Sequence, residues 1–173
     1  MKNPPALTRG TVVACLVACG VMTVIGVLLM PDFTGSEADW LSAIAAAPTA
    51  SAASALLYTG SQLPFAVGLA GVAHLLRHRT PVLAALGAGL AVLGGFGHAV
   101  YGGVNLVMLQ MADDPTNVAA HVDVLKGMGS GPAVPFMAMG LLGTVLGLVL
   151  LGVAVWRADL GPRWLGPVLV AFV

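Results

Sequence analysis

The sequence predicts an all-α fold: a polytopic transmembrane helical bundle with four complete spans, a truncated fifth, and two short amphipathic helices in the outer loops. Three observations predict it. Four apolar runs, at roughly 11–30, 52–76, 82–111 and 133–156, contain no Asp, Glu, Lys or Arg. Each matches the roughly 20 residues that a hydrocarbon core requires. Charged residues make up only 8% of the chain, against about 25% in an average soluble domain, too few to cover a surface facing water. The runs also lack polar–apolar alternation and far exceed the roughly 10 residues of a barrel strand. Backbone in lipid must satisfy its own hydrogen bonds, which leaves helix. All 173 residues read as a single membrane domain.

The first run follows Lys2 and Arg9, and its "LVAC" at 16–19 fits a lipoprotein cleavage box. Such a chain turns polar soon after the cysteine, whereas this one stays apolar to Met30. An uncleaved signal-anchor span is therefore preferred to lipidation at Cys19. Cys15, Cys19 and Thr23 share a helix face, where cysteine acts as a small packing residue. Two cysteines so placed form neither a disulfide framework nor a zinc spacing.

The loop after the first run carries "GSEADWLSAIAAAP". Ser36 suits a helix N-cap with Asp39 in the first turn. Trp40, Leu41, Ile44 and Ala47 form an apolar stripe, and Pro48 ends the helix. The second run carries Tyr58, Ser61 and Gln62, followed by Pro64, which frees the carbonyl of Gly60 and predicts a kink.

The third run holds "GGFGHAVYGGVN" at 94–105. On a helical wheel Gly87, Ala91, Gly94, His98, Tyr101, Gly102 and Asn105 share one face. Val92, Leu93, Phe96, Val100, Val104 and Val107 fill the opposite one. Small and polar residues suit helix contacts, so the His98 face is expected inside the bundle and the valine–phenylalanine face in lipid. The next loop, "DDPTNVAAHVDVLKGMGSG", offers Asp114 as N-cap and Pro115 as first helical residue. Its stripe is Val118, Val122, Leu125 and Met128. Both loop helices read as amphipathic segments at the membrane surface, preferred to lids over a pocket. The order span, outer helix, span occurs twice, which admits a parallel internal repeat.

In the fourth run Gly143 and Gly147, with nearby Gly140, form a small-residue contact face. It fits packing within the bundle or a homo-oligomer seam. A fifth run begins at Trp164 and stops at Val173. Ten helical residues rise about 15 Å, half a hydrocarbon core, so the C-terminus is expected to be truncated.

Six of the seven basic residues (Lys2, Arg9, Arg77, Arg79, Arg157, Arg163) fall on one side of the predicted spans. That side is expected to be cytoplasmic, with the N-terminus inside and Lys126 the exception. The formal net charge is zero and no basic cluster exists, which argues against nucleic-acid binding.

Intramembrane polar residues are the candidate site. Tyr58, Gln62, His98, Tyr101 and Asn105 are expected at one level in the outer half of the bundle, with His98 near the midplane. Trp40 and His121 are positioned to approach from the outer helices. The functional reading is a pocket for a small polar ligand. The preferred reading is an interhelical hydrogen-bond cluster in which neutral His98 donates from one ring nitrogen and accepts at the other. Methionines concentrate in the outer half, and thioether with imidazole suits Cu(I), but methionine is an ordinary filler of apolar gaps. His74 and His98 differ too much in depth for a bis-histidine haem. No cofactor, metal or catalytic motif is expected.

The segments "LLRHRTP", "GGFGHAVYGG" and "PRWLGP" resemble those of small uncharacterised multi-pass membrane proteins of high-GC bacteria. The resemblance implies a plasma-membrane bundle and carries no activity or site. The expected role is a non-catalytic structural or regulatory membrane component. A small-solute transporter or sensor is the alternative, and copper handling or membrane-embedded catalysis a minor one.

Overall fold

The computed structural model describes residues 6–159 and 164; the expected fifth span, apart from Trp164, lies outside them. The described residues are helical with no strand. They comprise α1 (Ala6–Leu28), α2 (Glu37–Ala46), α3 (Pro48–Leu76), α4 (Pro81–Ala112), α5 (Val118–Met128), α6 (Val134–Ala138) and α7 (Thr144–Ala158). A π-helical turn, Met139–Gly143, joins α6 to α7 without a break. Four stretches are long and apolar enough to cross a membrane: Arg9–Leu28, Pro48–Leu76, Pro81–Ala112 and Val134–Ala158. Over the described residues the chain is thus an all-helical membrane bundle.

The spans pack as a row in chain order. α1 lies on α3, α3 on α4, and α4 on the π turn and α7. Small residues set the separations. Val12 and Leu16 of α1 sit over Gly71 and Gly68 of α3. Ser54 Oγ crosses the same contact to donate to the carbonyl of Gly26 at 2.7 Å. On the other side of the row, Gly87, Ala91, Gly94 and Gly97 of α4 meet Leu151, Gly147, Thr144 and Gly140. Glycine and alanine let these backbones approach closely, the dominant source of helix association in lipid.

Apolar side chains gather towards the two ends of the spans. At the arginine end, Leu69, Leu76, Ala84, Ala88, Ala91, Leu151, Ala154 and Ala158 form one core. Two hydrogen bonds tie the α3–α4 turn to α7 there. Arg79 donates to the carbonyl of Ala158, and Thr80 Oγ1 donates to that of Ala154 at 3.3 Å. The carbonyls ending a helix have no partner of their own and carry negative partial charge, so a guanidinium suits them.

At the opposite end α2 and α5 pack on each other and on α4, burying Leu41, Ile44, Met108 and Leu125. Length explains why this second core exists. The 32 residues of α4 extend about 48 Å, well beyond a hydrocarbon core of about 30 Å. The surplus gives the two amphipathic helices a surface to cover. They therefore form a cap rather than lying singly on the membrane, and Trp40 belongs to it, edge-on to Phe33 at 6.0 Å.

Several expectations need correction. Ser36 and Asp39 form a full capping box on α2, and α2 ends before Pro48. That proline is also the first residue of α3, because the N1 position needs no amide hydrogen; the second span begins four residues earlier than expected and no loop intervenes. Pro64 lies inside α3, which is helical on both sides of it. Asp114 does not cap α5. Its carboxylate accepts from Thr116 N at 3.1 Å, Thr116 Oγ1 at 2.6 Å and Asn117 Nδ2 at 2.8 Å. That turn consumes 114–117, and α5 starts only at Val118. The valine–phenylalanine face is divided: Leu93, Phe96 and Val107 are exposed, while Val92 packs on one core and Val104 on the other. A helix with neighbours on both flanks has less than half of its circumference left for lipid.

Candidate functional site

Between the two cores the spans carry polar side chains, and α4 brings two of the expected five into contact. Tyr58 Oη and His98 Nδ1 lie 2.8 Å apart, with the rings edge to face at 5.8 Å. Tyr58 lies on the same face of α3 as Ser51, Ser54 and Ser61; Ser54 on that face meets α1, while the Tyr58 phenol reaches α4. His98 is brought close to the π turn by the Gly97–Gly140 approach. A β-carbon on Gly97 would lie 2.5 Å from the carbonyl oxygen of Phe136. Only glycine permits that spacing, and through it the imidazole reaches the seam.

Tyr58, His98 and Tyr101 line one side of a groove of about 400 Å³, with Met137, Ala138, Gly140 and Leu141 opposite. Tyr101, Met137 and Leu141 are exposed along its rim. The groove holds no charged side chain. Among the described residues Tyr58 is the sole hydrogen-bond partner of His98, and Nε2 is not sealed from the exterior.

The other expected members lie elsewhere. Gln62 points into a second, almost wholly apolar groove of about 450 Å³ between α3 and α4, lined with Thr59, Leu63, Ala66, Val92 and Phe96. Its amide donates within its own helix, to Tyr58 O and Ser61 Oγ, both at 3.1 Å. Asn105 sits one to two turns beyond His98, towards the cap. It borders a void of about 10 Å³ with Phe33, Ile44, Ser51, Ser54 and Ala55, and its Oδ1 is buried without a partner. The expected five-residue cluster at one level is therefore a pair, Tyr58–His98, with Tyr101 on the same groove. Residues 62 and 105 diverge because α3 and α4 each rotate 100° per residue, and adjacent helices share only one narrow face. Trp40 and His121 do not line the His98 groove either; Trp40 is absorbed into the cap core.

The expected oligomer seam is occupied from within. Gly143 and Gly147 are buried against Leu90, Ala91 and Gly94 of α4, so that face is not presented to a second copy. Three methionines act as filler: Met108 is buried in the cap core, with Met111 and Met128 against it. Cys15 and Cys19 are free and partly buried, with Cys19 Sγ 4.0 Å from Thr23 Oγ1.

Acidic groups outside the spans serve local turns. Donors from Ser36 hold the Asp39 carboxyl below the ordinary carboxylate range, and Thr34 does the same for Asp32. Asn117 and Thr116 lower Asp114 to about 2. A carboxylate so stabilised is a poor proton acceptor at neutral pH.

Three features had no sequence forecast: the π turn opposite His98, the Arg79 cap on α7, and the groove wall from Met137 to Leu141. The Ser51–Ser54–Tyr58–Ser61 stripe was readable as a packed face of α3, but not which neighbour each of its members would meet. Compared with known protein families, curated proteins and solved structures, the chain matches none.

Proposed function

We propose that the chain is a non-catalytic structural or regulatory component of a bacterial plasma membrane, with its N-terminus and arginine end in the cytoplasm. The supporting observation is how the intramembrane polar groups are used. Tyr58 bonds His98, Ser54 bonds Gly26, and Gln62 and Ser61 bond the Tyr58 carbonyl. These bonds join or stiffen helices rather than lining a route. The arginine end of the spans is closed by its leucine–alanine core. A carrier needs a cavity shared by His98 and Gln62, and the two occupy different grooves. The sensor reading keeps one specific support, the unbonded Nε2 of His98.

Two measurements test the proposal. Proteoliposomes loaded with small polar solutes or with a pH dye are expected to leak no faster than protein-free vesicles. A flux that falls in His98→Phe would establish transport instead. For orientation, Cys15 and Cys19 are replaced by alanine and a cysteine is introduced at Thr34 or His78, both exposed. An impermeant maleimide applied to intact cells is expected to label position 34 and to leave position 78 unlabelled. The reverse pattern overturns the orientation.

A further inference from the structure

We infer that the groove lined by His98, Tyr101, Met137 and Leu141 is a lipid site, in which a bilayer phospholipid lays an acyl chain and its ester carbonyl accepts a hydrogen bond from His98 Nε2–H. The inference deepens the regulatory side of the reading above and rests on it.

The chemistry of the pair comes first. A phenol is the better proton donor and an unprotonated imidazole nitrogen the better acceptor, so Tyr58 Oη donates to Nδ1 across 2.8 Å. That fixes the tautomer: the proton of the neutral ring is on Nε2, which must donate. Among the described residues nothing accepts from it. A donor on an apolar surface without a partner is costly, so Nε2–H favours an occupant that carries an acceptor.

Composition narrows the occupant. The lining carries no charge, so an ionic ligand would lose its hydration without compensation. Most of the wall is apolar: Met137, Ala138, Gly140 and Leu141. The rim residues Tyr101, Met137 and Leu141 are exposed on the surface of the spans, and entry is therefore from the side. Position narrows it further. His98 lies seventeen residues from Pro81, about 26 Å along α4. With the arginine turn at one boundary, a core of about 30 Å ends within a few ångströms of His98. This is closer to the capped side than the expected midplane, because the last turns of α4 belong to the cap. Phospholipid ester carbonyls lie at that boundary, with their chains directed into the core.

The test uses the full chain, labelled with ¹⁵N-histidine, in nanodiscs of diester phosphatidylcholine and of its diether analogue, which lacks the carbonyls. His98→Phe identifies the His98 signals. In diester discs the Nε2–H proton is expected downfield and protected from solvent exchange; in diether discs it moves upfield and exchanges faster. Met137→Trp, which fills the groove from its exposed rim, is expected to give the diether pattern even in diester discs. Identical spectra in the two lipids overturn the inference, as does rapid exchange in both, which would make water the partner. A downfield signal that appears only when decylbenzoquinone is added to diether discs overturns it in favour of a ring carbonyl. None of these failures touches the non-catalytic reading, which falls only to a His98-dependent flux.

Discussion

Replacing Gly97 with alanine tests the idea that backbone proximity sets the site. The added β-carbon would lie 2.5 Å from Phe136 O and 2.7 Å from Gly140 Cα, with the Gly140 amide nitrogen closer still. All three are backbone atoms of the facing helix and cannot rotate away. Relief to an ordinary contact near 3.4 Å requires the helices to separate by about 1 Å. A gap of that size forfeits a quarter to a half of the dispersion energy of each contact across it, and overpacking of this kind costs about 1–3 kcal/mol. Gly103→Ala on the same helix is the control, since its β-carbon meets nothing within 4 Å. Alanine there is expected to be neutral or to stabilise by up to about 1 kcal/mol through helix propensity. Unfolding in mixed micelles, followed by circular dichroism, reads both variants. Moving α4 from the π turn is also expected to widen the His98 groove, increasing solvent exchange at the ring. Equal stability for the two variants would refute the close-approach reasoning.

Further outcomes follow from other contacts. Tyr58→Phe removes the partner of His98 Nδ1 and is expected to cost about 0.6–2 kcal/mol; a double-mutant cycle with His98→Phe should show that most of this cost is shared. Arg79→Ala leaves the Ala158 carbonyl without its donor. Its expected loss is about 0.3–1 kcal/mol, with faster amide exchange confined to the last turn of α7. Asp114 has a folded pKa of about 2, below its ordinary 3.8. Its contribution to the turn before α5 is therefore complete above pH 3.8 and lost as pH falls through about 2. The ¹³C carboxyl shift of Asp114 should titrate in that range, and Thr116→Val should move its midpoint upward.

The spans were legible in the sequence because lipid imposes a simple rule: about 20 apolar residues, no charge, and a helix. Ser36 and Asp39 were legible for a comparable reason, since a capping box involves only residues three apart. Asp114 was misread within equally short range. Its carboxylate had two competing local uses, a helix cap or a turn closed by Thr116 and Asn117, and the turn took more donors. Gly143 and Gly147 were legible as a contact face but not as the face of a particular partner.

The amino-acid order alone determined that this chain is helical, that four of its segments suit a bilayer, and which residues in them are polar. Those properties depend on composition and on periodicity along a single helix. The tertiary structure decided which polar groups meet. It paired Tyr58 with His98, sent Gln62 and Asn105 to separate places, and filled the Gly143–Gly147 face with α4. Such outcomes depend on how far each helix is rotated and displaced against its neighbour. At 100° per residue, a shift of one position moves a side chain from one groove to the next.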